Sequence, residues 1–188
     1  MFLNLLKTST SCISVVLMLS SCSEKFSAEE REIYNVTCTH EKLEQRQYNF
    51  DLHAHCCRFP EQLEEFILKY KSSEKVDVER ARVLIVNTVE ELLNLINSSP
   101  ILRPKLANYP FTSENLTYSI SFENINNNYY ENPNAKYYPN EYISYVLLMK
   151  GCIGYAIFNP SEQKLQTYHI ELYEEALKIV TENERSDN

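Results

Sequence analysis

Apolar and polar positions along this chain predict a succession of short elements joined by polar connectors. From Tyr34 to His40 the pattern has period two, with Tyr34, Val36 and Cys38 on one face and Asn35, Thr37 and Thr39 on the other, as in a half-buried strand. A second extended piece is expected over 48–57, with EKLEQRQ between the two as a polar loop or a helical turn. Pro60 stands where a first helical position would be. Leu63, Phe66, Ile67 and Tyr70 follow at i, i+3, i+4 and i+7, with Glu61, Glu64, Glu65 and Lys69 outside that stripe, which predicts an amphipathic helix. Its three glutamates form the solvated outer face, not a paired-carboxylate site. Within 82–87 the run Val83 Leu84 Ile85 Val86 reads as a buried strand. Thr88 with Glu91 then reads as a capping box, opening a helix through Val89, Leu92, Leu93 and Ile96 that ends near Pro100.

A proline-rich loop (Pro100, Pro104, Pro110) leads to an alternating strand over 116–122. The stretch 124–142 holds Asn126, Asn127 and Asn128, the pairs Tyr129 and Tyr130, Tyr137 and Tyr138, and almost no aliphatic residue, which predicts a long surface excursion. Two runs, 143–149 and 152–158, flank Lys150 and Gly151 as a hairpin, and Asn159 with Pro160 turns the chain into a third strand over 165–172. The competing reading, one membrane span over 143–158, would place Lys150 at its centre at a cost of about 2.5–3.5 kcal/mol. Tyr173, Ala176, Leu177 and Val180 mark a closing amphipathic helix. These elements predict an α+β fold, a mainly antiparallel sheet with about three helices packed on it, in a single globular domain over 33–182 followed by a polar tail, 183–188.

Ahead of this domain the run Ile13 to Leu19 is apolar but too short to span a bilayer, and it ends in Leu19, Ser20, Ser21 and Cys22. A long aliphatic, two small residues and a cysteine resemble the lipobox of bacterial lipoproteins. The resemblance covers the first 22 residues only. It implies that residues 1–21 are a cleaved signal peptide, that Cys22 carries a thioether-linked diacylglycerol and an acylated (palmitate-type) amine, and that residues 22–32 are a short tether to the bilayer. With Ser23 following the cysteine, it further implies the outer membrane of a bacterial envelope, facing the periplasm or the cell surface. Within the tether, Ser27 and Glu30 have capping-box spacing for one or two helical turns. Plain secretion is the alternative. In a secreted eukaryotic glycoprotein the sequons at Asn35, Asn97 and Asn115 would be acceptors.

Composition narrows the function. Loss of residues 1–21 removes one lysine and no acid, leaving 17 basic and 26 acidic side chains in 167 residues, so free nucleic acid is not an expected partner. The chain has two glycines, Gly151 and Gly154, which argues against phosphate-cradling loops. No nucleophile elbow frames a serine, and His169 is expected on the wetter face of its strand with Thr167 and Glu171. Four thiols remain after processing, Cys38, Cys56, Cys57 and Cys152, in a compartment where disulfides persist, and Cys38 is expected to bridge Cys56 or Cys57 between the first two strands. The competing use of the same region is a metal site. Cys38, His40, His53 and His55 on two adjacent strands would converge nitrogen and sulfur donors on zinc or copper, the only cofactor these residues suggest. The expectation is a non-enzymatic, membrane-tethered module that binds an envelope protein or glycan, with Tyr129, Tyr130, Tyr137 and Tyr138 as binding-loop candidates. A metal-dependent periplasmic protein is the alternative.

Overall fold

A computed structural model describes residues 26–124, 136–138 and 141–186. Cys22 and the signal peptide expected before it, together with Tyr129 and Tyr130, lie outside the described residues.

The first element is a helix, α1 (Ala28–Tyr48). The Ser27 hydroxyl accepts from the Glu30 amide at 3.0 Å and the Glu30 carboxylate accepts from the Ser27 amide at 2.7 Å, so the capping box opens 21 residues of helix rather than a turn or two. Asn49 ends the helix in the left-handed region, φ 55°. The strand expected over 34–40 is therefore helical. The face that α1 buries is Val36, Thr37, His40 and Glu44, a helical spacing hidden in the sequence because most of its members are polar.

The chain then enters β1 (Asp51–Arg58), in line with the extended piece expected there, and β2 (Glu65–Ser72). The helix expected after Pro60 is thus a strand. Phe66, Leu68, Tyr70 and Ser72 are buried at period two, and Leu68, fully enclosed, would have fallen on the polar side of the expected helix. A second helix, α2 (Val78–Ser98), starts at Asp77, whose carboxylate accepts from the Arg80 amide at 2.8 Å. It absorbs the strand expected over 82–87. The continuous apolar run suits α2 because it packs against both other helices and the sheet. Thr88 is not a cap; its hydroxyl donates to the Leu84 carbonyl one turn back.

After the proline-rich loop, which contributes Leu102, Leu106 and Phe111 to the core, the chain forms β3 (Leu116–Phe122). The hairpin of β4 (Tyr145–Met149) and β5 (Cys152–Asn159), then β6 (Lys164–Leu172) and α3 (Tyr173–Ser186), follow as expected. Lys150 and Gly151 turn the hairpin with φ 51° and 71°, the pair of positive values a two-residue turn of this hand requires. No helix among the described residues is long and apolar enough to cross a membrane, and residues 143–158 are this hairpin.

The six strands lie in the order β1-β2-β3-β4-β5-β6. Every neighbouring pair is antiparallel except β2 and β3, which are parallel and joined through α2. The fold is α+β, with three helices and a mostly antiparallel sheet. Helix α2 packs against β3 and β4, with α1 and α3 beside it, and the inward-facing side chains of β2 to β5 form the core beneath them. The described part of the tyrosine-rich stretch belongs to this body. Tyr138 is buried and donates to the Ser73 carbonyl at 2.6 Å, and the Tyr137 ring lies 5.2 Å from that of Phe158. Neither is a free binding-loop side chain.

Candidate functional site

The structure separates the residues proposed as metal ligands. Helix α1 carries His40 into the interior and leaves Cys38 half-buried, within reach of Tyr34. His53 and His55 stand exposed on β1. Among the described residues no group of three or more His, Cys, Asp or Glu side chains is arranged to hold a metal. The expected disulfide is also not formed. Cys38, Cys56, Cys57 and Cys152 are free thiols, because Cys38 belongs to a helix and not to a strand paired with β1.

His40 is instead the centre of a closed polar cluster. The Thr88 carbonyl, 2.9 Å from Nε2, can only accept, so Nε2 carries the proton and Nδ1 accepts from the Tyr70 hydroxyl at 2.8 Å. The Tyr70 and Tyr118 rings stack at 5.5 Å, and His40 meets Tyr118 edge-on at 5.8 Å. Glu44, one turn along α1, places Oε1 3.2 Å from His40 Nε2. Among the described residues neither of its carboxyl oxygens has a hydrogen-bond partner, and the same holds for the Tyr118 hydroxyl and Oε2 of Glu91. Burial pushes His40 down to about 4. Burial, reinforced by the neighbouring Glu91, pushes Glu44 up to about 8. Both groups are therefore neutral at pH 7. His40, Glu44 and Tyr118 are wholly enclosed, so the cluster offers a proton-holding interior but no entrance for a substrate.

A second polar group ties α2 to β6. Arg82 Nε donates to both Glu171 oxygens at 2.9 and 3.1 Å, Tyr155 donates to the same carboxylate at 2.5 Å, and His169 Nε2 stands 3.7 Å away. Burial raises Glu171, but the hydrogen bonds from Arg82 and Tyr155 outweigh it and hold the carboxyl below its ordinary value. His169 and Glu171 oppose Tyr155 and Ile153 across the ladder, so both lie on the helix-bearing side of the sheet and not on the wetter face expected for them. His169 meets the Glu171 carboxylate and, at 5.6 Å, the Tyr155 ring, so the group is a clasp between layers.

An open groove of about 440 Å³ runs between α2 and α3, lined in part by Glu90, Asn97, Phe111 and Tyr173. Several of its polar groups are spent internally. The Asn97 amide both donates to and accepts from the Phe111 backbone, at 2.9 and 2.7 Å, and Tyr173 donates to Glu90 at 2.8 Å.

The sheet face turned away from the helices has a different character. Ladder partners share a face, so the register places Cys56, Ile67, Thr117, Met149, Cys152 and Leu172 in one row across all six strands. The next row is Ala54, Lys69, Ser119, Leu147, Gly154 and Ile170. Toward β6 these rows are apolar and open, with Met149 49%, Leu172 52% and Ile170 63% exposed and Tyr168, at a register shift, 61%. A Cβ placed on Gly154 would meet nothing within 4 Å, so Leu147, Gly154 and Ile170 form a shallow notch. Pattern reading missed this face because setting Thr167, His169 and Glu171 on the wetter side turns Ile170 and Leu172 toward the core, the reverse of what the register gives. Its signal was the aliphatic identity of Ile170 and Leu172.

No protein-family model matches the chain, and no match is found among curated proteins or solved structures.

Proposed function

We propose that this chain is a lipid-anchored envelope protein of the bacterial type, a non-enzymatic module that binds a protein partner across the open face of its sheet. The binding reading is carried by the exposed apolar rows of β4 to β6, since contiguous aliphatic surface of this kind marks interaction sites more often than solvated surface. The occupant is a protein and not a glycan. Glycan platforms combine aromatic faces with carboxylates and amides, whereas here one exposed aromatic, Tyr168, stands beside Met149, Leu172, Ile170, Leu147 and Ala156, which offer mostly aliphatic carbon and a polarisable thioether. The address rests on the Leu19 to Cys22 signal, with α1 beginning at Ala28, so the tether from Cys22 is brief and the domain rides close to the bilayer.

Two measurements test the reading separately. Cys22→Ala should abolish acyl labelling and move the protein out of the detergent phase; unchanged labelling and partitioning would remove the lipid anchor. For the binding face, a photo-crosslinking residue at Met149 should give a discrete adduct in cells. Ile170→Glu should suppress that adduct, and the same photo-residue at exposed Lys178 on α3 should give none. Equal adducts at both positions, or an adduct of the size of two copies of this chain, would overturn the heterologous protein partner.

A further inference from the structure

Helix α1 is attached to the domain in an unusual way. Of its 21 residues it buries four completely enough to count as interior, Val36, Thr37, His40 and Glu44, and Val36 is the one aliphatic among them. Toward its start it is held by Ile33, by the Glu29 pair with Lys105 at 3.2 Å, and by the Glu32 carboxylate accepting from Ser99 at 2.6 Å. Over its second half α1 is held by the polar cluster and by one partly buried aromatic, Tyr48, whose ring lies 5.4 Å from that of Phe50. By contrast α2 buries Ala81, Leu84, Ile85, Val86, Val89, Leu92 and Ile96. The docking of α1 therefore depends on the charge state of its own buried side chains.

The surroundings of Glu44 supply nothing to hold an anion. From α1 it faces His40 and, further along, Tyr48; from α2, Glu91; from β2, Tyr70; and from β3, Tyr118. Glu91 is an acid, and no lysine or arginine contributes to the titration of Glu44 among the described residues. Lys42 and Arg46 of the same helix point to solvent. The single base in contact, His40, has Nε2 committed to the Thr88 carbonyl and Nδ1 to the Tyr70 hydroxyl. A carboxylate at this position would be a buried charge with two unpaired oxygens, which a fold relieves either by protonation or by moving the group into water.

We propose that α1 is a pH-sensitive strap, docked onto α2 and the β2–β3 surface more firmly while Glu44 keeps its proton and His40 stays uncharged. The sign follows from linkage. A carboxyl raised from 4.5 to about 8 stabilises docking fully below the lower value and loses that contribution as pH rises through the higher. An imidazole lowered from 6.5 to about 4 does the opposite, favouring docking more as pH rises to 6.5 and no further above it. The two slopes offset one another between these ordinary values. Above pH 6.5 only the Glu44 contribution changes, so the docked-to-released ratio falls about tenfold per pH unit up to about pH 8, roughly thirtyfold in all, and then levels.

Hydrogen exchange on the full chain tests this, with rates at pH 6.5 and pH 9 corrected for intrinsic exchange. The expected result is a drop in the protection of peptides within 28–48 of roughly thirtyfold relative to those within 78–98, and no relative drop in Glu44→Gln. Unchanged relative protection of α1, loss of α1 and α2 together, or the same drop in Glu44→Gln would each overturn the proposal. Should Glu44→Gln fail to fold, carbon NMR of the Glu44 carboxyl in the unaltered protein decides instead. A midpoint above about pH 7 supports the strap, and one below that value overturns it.

Discussion

Replacing Glu171 by glutamine tests whether the clasp between α2 and β6 contributes to stability. The side chain keeps its shape and loses its charge. Glu171 is 6% and Arg82 13% exposed, so the guanidinium would remain in a largely dry place with its carboxylate gone, and the Tyr155 hydroxyl would face a weaker acceptor. Removing one partner of a buried charged pair costs about 3–5 kcal/mol, and an ordinary hydrogen bond to a charged group about 1.5–3. Because Arg82 keeps some access to water, about 2–3 kcal/mol is expected at pH 7, a fall in Tm of roughly 4–12 °C for a domain of this size. The pH dependence has a definite sign. Glu171 titrates below its ordinary value of 4.5, so its contribution is complete above that value and is lost as pH falls through the folded-state midpoint. Glu171→Gln should therefore be less stable than the parent at pH 7 and approach it in strong acid. Urea unfolding followed by tyrosine fluorescence and far-ultraviolet circular dichroism measures the difference, since the chain has 14 tyrosines and no tryptophan. A double-mutant cycle with Arg82→Met isolates the pair. A loss below about 1 kcal/mol at pH 7, or a coupling near zero, would refute the reasoning.

Other consequences are checked more simply. The four thiols of the folded domain should all be free, so reduction should leave the intact mass of the domain unchanged while Cys56 and Cys152 label first in the native state; a mass gain on reduction would show a bridge. Leu68→Ala should cost about 2–5 kcal/mol, because the side chain is fully enclosed in β2, whereas the same residue in the helix first expected there would have been solvent-facing and nearly neutral. Gly154→Val should leave stability unchanged or raise it, since the new side chain enters open space on a strand that favours β-branched residues, yet it should fill the notch and weaken partner crosslinking at Met149; a destabilised domain would mean the face is covered.

Several elements were legible in the chain because their signals are local. Ser27 and Glu30 sit one helical turn apart and can satisfy each other's backbone groups whatever surrounds them. Lys150 and Gly151 set a tight hairpin, the alternation over 116–122 matches β3, and the stripe from Tyr173 to Val180 matches α3. Their partners lie a few residues away, so period and turn chemistry suffice. The same reasoning failed over 34–40, 63–70 and 82–87, where the residues fit two periods at once and only the packing chooses. Leu68 settles β2 as a strand because β3 and the helices enclose it. Val83 to Val86 can be helical because α2 has neighbours on several sides. His40 and Glu44 turn inward because Tyr70, Thr88 and Tyr118, all distant in sequence, form the surface on which α1 lands. The chain alone determined its class, its hairpin and its closing helix. Which polar side chains are buried without partners, and which aliphatic ones are left outside, was decided by long-range strand register and helix packing, since burial is a property of what approaches a residue and not of the residue itself.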